Sequence, residues 1–161
     1  MKKELTKEQV LLKLTSLCSS AEHCSGEMLK KMDAWEVSPE IQSEVMEYLV
    51  REKYVDDLRY SRFFVNDKIK YNKWGRRKVE QALWEKRIDR AVSREVLDEV
   101  PDELYVEILT SLLRDKKKTV KGKNDYEVKC KLVRFALGRG FTYDIISRCV
   151  DEAEEVCGDD F

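Results

Sequence analysis

The chain of 161 residues is long enough for one ordinary domain or a string of about three small units. Charged residues make up 39% and apolar residues 42%, with two prolines and six glycines, which suits amphipathic helices and argues against disorder or a glycine-punctuated β sandwich. The net charge of −1 is silent about partners, and no apolar run is long enough for a signal or membrane segment, so a cytoplasmic protein is expected.

The first predicted helix starts at Thr6, whose hydroxyl can cap the turn ahead of Glu8 and Gln9, and carries Val10, Leu11, Leu14 and Leu17 at helical spacing. A polar stretch over residues 19–25 ends it, and residues 27–35 form a second helix. Ser38-Pro39 opens a third that runs to about residue 53, since proline fits a first helical turn. Asp56 and Asp57 suit the N-terminus of a fourth helix, ending near Asn72, and Trp74-Gly75 punctuates before a fifth over residues 76–85. Asp89 caps a sixth, Pro101-Asp102 resets the chain for a seventh to about Lys117, and residues 125–137 form an eighth. Gly138 and Gly140 offer the left-handed backbone that ends helices, and a ninth helix begins at Thr142. No strand pattern of comparable length appears.

These helices repeat. Val37, Ile88 and Phe141 each precede a cap, at Ser38, Asp89 and Thr142. Nine residues upstream stand Met28, Val79 and Leu132; five upstream stand Met32, Leu83 and Ala136. Four downstream come Ile41, Val92 and Ile145, and eight downstream Val45, Val96 and Cys149. Shared core spacing and shared caps point to stacked copies of one helical unit. The fold class is therefore all-α, with three tandem three-helix repeats over residues 1–55, 56–100 and 101–161.

Little chemistry of an enzyme is visible. Five cysteines (Cys18, Cys24, Cys130, Cys149 and Cys157) form no CxxC pair, and His23 is the only histidine, so no metal or cofactor is implied and the thiols are expected to be reduced. Residues 120–123 lack the spacing and preceding strand of a phosphate loop. A Cys24–His23 dyad would need an electropositive, fixed setting that nothing here suggests. Cys149 falls on a core column and reads as a small buried hydrophobe.

Charge is segregated instead. Lys68, Lys70, Lys73, Arg76, Arg77 and Lys78 form a run without an acid, around Trp74. Arginines in a first helical turn oppose the helix dipole, which suggests a purpose such as phosphate or carboxylate binding; the plainer reading is a solvated basic face with Trp74 over a helix junction. A second cluster from Arg114 to Lys123, including Lys116, Lys117 and Lys118, sits at a helix end where lysines are favoured anyway. Residues 151–160 hold six acids and no base, either a solvated terminus or a screen for the basic surface.

Two runs carry a family resemblance. They are Tyr54-Val55-Asp56-Asp57-Leu58-Arg59-Tyr60 with Phe63-Phe64-Val65, and Gly75-Arg76-Arg77-Lys78-Val79 with Leu83 and Lys86-Arg87-Ile88. The third repeat adds Val128-Lys129-Cys130-Lys131-Leu132 and Arg139-Gly140-Phe141-Thr142-Tyr143-Asp144-Ile145-Ile146. Over about residues 50–150 the chain resembles the RecX family of bacterial recombinase regulators. The resemblance implies an elongated, curved array and a non-enzymatic modulator that binds the RecA filament on single-stranded DNA and lowers filament growth, ATP hydrolysis, strand exchange and coprotease activity. Candidate RecA- or DNA-facing residues are Lys68, Lys73, Trp74, Arg76, Arg77, Lys78, Lys116, Lys117 and Lys118, with weak direct attraction to nucleic acid. The structural signature is Asp56, Asp57, Arg59, Tyr60, Gly75, Leu83, Ile88, Gly140 and Phe141, with Arg59 expected to pair with Asp56 or Asp57. Arg87 stands where the family's middle repeat has glycine, so a differently built helix end is expected there. A monomer is expected, and the alternatives are a general DNA-binding protein or a helical scaffold for an unrelated partner.

Overall fold

A computed structural model describes residues 4–150, so the acidic run from Asp151 lies outside the described residues. Those described hold nine helices and no strand: α1 (Lys7–Ser20), α2 (Ser25–Ala34), α3 (Pro39–Arg51), α4 (Asp57–Lys70), α5 (Arg76–Glu85), α6 (Arg90–Asp98), α7 (Asp102–Lys117), α8 (Asp125–Gly138) and α9 (Tyr143–Cys149). None is long and apolar enough to cross a membrane.

The helices start where their caps are. Thr6 and Gln9 form a reciprocal capping box on α1, each side chain accepting from the other's backbone N–H. Ser38 accepts from the Ile41 N–H with Pro39 in the first turn of α3, Asp89 accepts from the Ala91 N–H, and Thr142 accepts from the Ile145 N–H. The three aligned cap positions thus do the same work.

The helices also end alike. After α2, α5 and α8 the chain enters the left-handed region at Glu36 (φ 57°), Arg87 (φ 61°) and Gly140 (φ 92°). The following N–H reaches six residues' span back: Val37 to the Met32 carbonyl at 2.9 Å, Ile88 to Leu83 at 3.1 Å, Phe141 to Ala136 at 3.2 Å. This paired closure satisfies carbonyls that a helix end leaves open. Arg87 therefore does not mark a different terminus; it adopts glycine's conformation, and the Leu83–Ile88 bond holds it there. Gly138 has no positive φ and is simply the last residue of α8.

The described residues separate into two compact units. Residues up to Phe64 with Leu83–Val96 form one; Val65–Ala82 with the residues from Leu97 onward form the other. The division runs through α4, α5 and α6. In the first unit, Val10 and Leu14 of α1, Met28 and Met32 of α2, and Val45 and Leu49 of α3 bury together with Val37 and Val55. In the second, Tyr105, Leu109 and Leu113 of α7 pack in a unit with Cys130, Val133 and Ala136 of α8, and Ile145 and Ile146 of α9. Each fully buried Leu, Ile or Met contributes about 1.5–3 kcal/mol.

Of the five repeating columns, the first three are buried in all copies. Ile41 and Val92 are half-buried, and so is Cys149, which is less enclosed than its column suggests. Cys18, Cys24 and Cys149 are free thiols, whereas Cys130 is disulfide-bonded, which corrects the expectation for that residue.

Candidate interaction surface

In the second unit the N-terminus of α5 meets the C-terminal end of α8 through peptide groups. A helix begins with N–H groups that have no partner inside it. Here the Gly75 N–H donates to the Arg139 carbonyl at 2.8 Å and the Arg77 N–H to the Gly140 carbonyl at 2.9 Å. The approach leaves no room for side chains: a Cβ at Gly75 would lie 2.3 Å from the Phe141 nitrogen, and one at Gly140 2.6 Å from the Lys78 nitrogen. Arg139 closes the neighbouring turn, its Nη2 donating to the Asn72 carbonyl at 2.6 Å and the Lys73 carbonyl at 3.3 Å. The start of α5 is thus occupied by backbone carbonyls and is not an open anion site.

The basic run surrounds this junction. Trp74 is half-buried, with the Lys68 ammonium 5.4 Å and the Lys78 ammonium 4.9 Å from its ring centre. Both lysines sit against the ring's negative face, a contact of about 0.5–1 kcal/mol at an exposed site. Arg76 pairs with Asp98 at 2.7 Å and stands near Tyr105, whose phenol burial pushes up to about 12 despite the arginine. Arg77 and Lys73 are exposed, and their side chains have no ion pair among the described residues. Lys116 lies 5.1 Å over the Phe135 ring, Lys117 borders an open groove, and Lys118 is 4.0 Å from Asp115. The candidates in this unit therefore differ: Arg77 and Lys73 are unengaged, while Arg76, Lys68 and Lys78 already hold something.

The signature residues of the first unit build a parallel junction. Asp57 reaches the start of α2, accepting from the Ser25 N–H at 2.7 Å and from the Ser25 hydroxyl. Asp56 caps its own helix, accepting from the Arg59 N–H at 3.0 Å. Arg59 pairs with neither aspartate side chain through its guanidinium. Instead it meets Glu22 at 3.0 Å and donates to the Lys53 carbonyl at 3.2 Å, which corrects the expected pairing. Gly26 packs against the peptide of Lys86, where a Cβ would come 2.1 Å from the carbonyl oxygen. Leu83 and Ile88 are buried, and burial with the nearby Glu27 carboxylate pushes the Tyr60 phenol up.

Glu27 ties this junction together. It accepts from the Cys24 N–H at 3.1 Å and pairs with Lys86 at 3.3 Å. Burial pushes its carboxyl up, but the Cys24 N–H, Lys86 and His23 outweigh burial and hold it below the ordinary value. Burial raises the Cys24 thiol to about 11, the reverse of an activated nucleophile. Among the described residues no cluster of histidine, cysteine, aspartate or glutamate is arranged to hold a metal.

Sequence reasoning quoted Arg139 only as part of a run and gave it no role, and it missed Gly26. A faint signal for Arg139 was present in Phe135, four residues earlier on the same helix face, with the guanidinium 6.0 Å from its ring.

The helix-end junctions and shared caps define the class first: an all-α array of three-helix repeats. Family models for the second and third three-helix domains of RecX match residues 56–97 and 102–150. The chain belongs to the RecX family, a family of regulatory proteins. A regulatory protein RecX from Finegoldia magna is 31% identical over 121 residues, covering 74% of this chain and 59% of that protein. One from Bacillus cytotoxicus is 28% identical over 120 residues, covering 74% of this chain and 44% of its own length. The matched part thus spans about half the length of those relatives. A crystal structure of RecX from Lactobacillus salivarius has the same fold, with a TM-score of 0.85 at 19% identity over 92% of this chain and 97% of that one.

Proposed function

We propose that this chain binds RecA filaments on single-stranded DNA and negatively modulates RecA: filament growth, and with it ATP hydrolysis, strand exchange and coprotease activity. The three repeats of the proposal cover residues 1–55, 56–100 and 101–161, and the protein acts as a cytoplasmic, non-enzymatic monomer. Family membership supports the regulatory role. The observation that carries the binding surface is the pair of exposed, unengaged bases Arg77 and Lys73, beside a tryptophan whose ring Lys68 and Lys78 both approach. Such bases can meet carboxylates of a protein filament or phosphates of its DNA without first breaking an ion pair. A repeating filament offers several such contacts at once, and linking weak contacts raises effective affinity.

The test is ATP hydrolysis by cognate RecA on single-stranded DNA, titrated with this protein at physiological salt, beside a bare-DNA binding control. Inhibition well below one protein per RecA is the expected result. Binding to bare DNA that falls steeply with salt, with hydrolysis unchanged, would favour a general DNA-binding protein instead. No effect in either assay would leave a helical scaffold for another partner.

A further inference from the structure

The turn between α4 and α5 presents an aromatic ring to solvent. Tyr71 is 80% exposed, and its ring has no partner among the described residues. An exposed aromatic by itself is ordinary. This one stands inside the acid-free run from Lys68 to Lys78, between Lys70 and Lys73. Lys70, Lys73 and Arg77 are exposed, and none has an ion pair among the described residues. The helix dipole accounts for a base at Lys70, the last residue of α4. It does not account for Lys73, which lies beyond that helix in the left-handed region at φ 57°. The backbone of the turn is pinned. The Tyr71 N–H donates to the Asp67 carbonyl at 2.9 Å and the Trp74 N–H to the Lys68 carbonyl at 3.2 Å. Arg139 fastens the carbonyls of Asn72 and Lys73 between them.

We propose, building on the RecA-filament reading of this same surface, that Tyr71 is a stacking platform for an unpaired nucleobase. Lys70, Lys73 and Arg77 take the phosphates of the strand that carries it. The ligand of the turn is therefore single-stranded nucleic acid, not a protein carboxylate. The ring decides between the two. Bases alone would suit either anion, whereas an aromatic face adds affinity only where another flat face is free to cover it. A duplex hides the faces of its bases in the stack; a single strand offers them. The pinned backbone limits the freedom lost on binding, since the ring stands on a turn already fixed by hydrogen bonds.

The test is fluorescence anisotropy with the full chain at physiological salt. One labelled probe is a deoxythymidine strand of about 20 nucleotides; the other is an abasic strand with the same number of phosphates. Tyr71→Ala should weaken binding to the thymidine strand by about five-fold or more, and Tyr71→Phe, which keeps the ring, by less than about two-fold. On the abasic strand Tyr71→Ala should equal the parent. Lys70→Gln with Lys73→Gln should lower the salt dependence of thymidine-strand binding by about 1.4 in log–log slope, which Tyr71→Ala leaves unchanged. Tyr71→Ala binding the thymidine strand like the parent would overturn the proposal, as would an equal loss on both strands or no binding by the parent. RecA hydrolysis measured on the same preparations keeps the two ideas apart. Inhibition by the parent with no effect of Tyr71→Ala on DNA binding removes the stacking site alone. Ring-dependent DNA binding without inhibition keeps the site and removes the RecA role.

Discussion

The Cα of Gly75 faces the Phe141 backbone so closely that a methyl group there would lie 2.3 Å from the Phe141 nitrogen. Neither partner is the flexible end of a side chain, so the contact cannot relax without separating α5 from the end of α8. Gly75→Ala should therefore destabilise the protein by about 1–3 kcal/mol, as overpacking does elsewhere. Gly140→Ala adds left-handed strain to a clash with Lys78 and should cost at least as much. Gly138→Ala is the contrast: an added Cβ meets nothing within 4 Å, and the change should stabilise by about 0.5–1 kcal/mol. Urea unfolding midpoints of the three variants check the order.

Arg87 and Glu36 hold the position that Gly140 holds in the third repeat, at φ 61° and 57°. A left-handed residue with a side chain carries about 1–2 kcal/mol of strain, partly offset because glycine has more unfolded freedom to lose. Arg87→Gly should raise stability by about 0.5–1 kcal/mol. Its ion pair with Asp33 is 4.0 Å long and exposed at both ends, so little is lost with it. A rise in melting temperature for Arg87→Gly, and none for Arg87→Ala, is the result to look for.

Glu27 sets an acid limit on the first unit. Its folded pKa lies below the ordinary value of 4.5, so its contribution is complete above that value and disappears as pH falls through the folded one. Stability of the parent protein should drop through this range, and Glu27→Gln should show a shallower drop while being less stable at pH 7. Chemical denaturation repeated at several pH values between 7 and 3 measures both curves.

Arg77 and Arg76 should separate function from structure. Arg77→Glu removes a side chain with no ion pair among the described residues, so stability should stay within about 0.5 kcal/mol while inhibition of RecA hydrolysis weakens. Arg76→Glu also places a carboxylate against Asp98, where the native guanidinium now sits at 2.7 Å, and should lower the melting temperature as well. Unimpaired inhibition by Arg77→Glu would remove that residue from the binding surface.

Local features were the legible ones. Ser38, Asp89 and Thr142 could be recognised as caps because each bonds within three residues of itself, and the repeating core followed from spacing along single helices. The helix bounds of α5 and α7 were likewise set by neighbouring glycine and proline. What escaped was set by distant partners. Arg59 finds Glu22, 37 positions away, and Arg76 finds Asp98, 22 positions away; neither separation leaves a mark in the spacing of charges. Gly75 looked like punctuation because the groups it meets are peptide carbonyls and nitrogens, which every residue possesses. On the candidate surface, charge located the cluster, but only the folded chain divides engaged bases from unengaged ones.

The joint between α5 and α8 is made by two N–H groups and two carbonyls, with side chains contributing mainly by being absent at Gly75 and Gly140. Heritable change acts on side chains, so a seam of this kind is hidden from most of it. The faces flanking the seam can be rewritten for new partners while the seam itself stays in place.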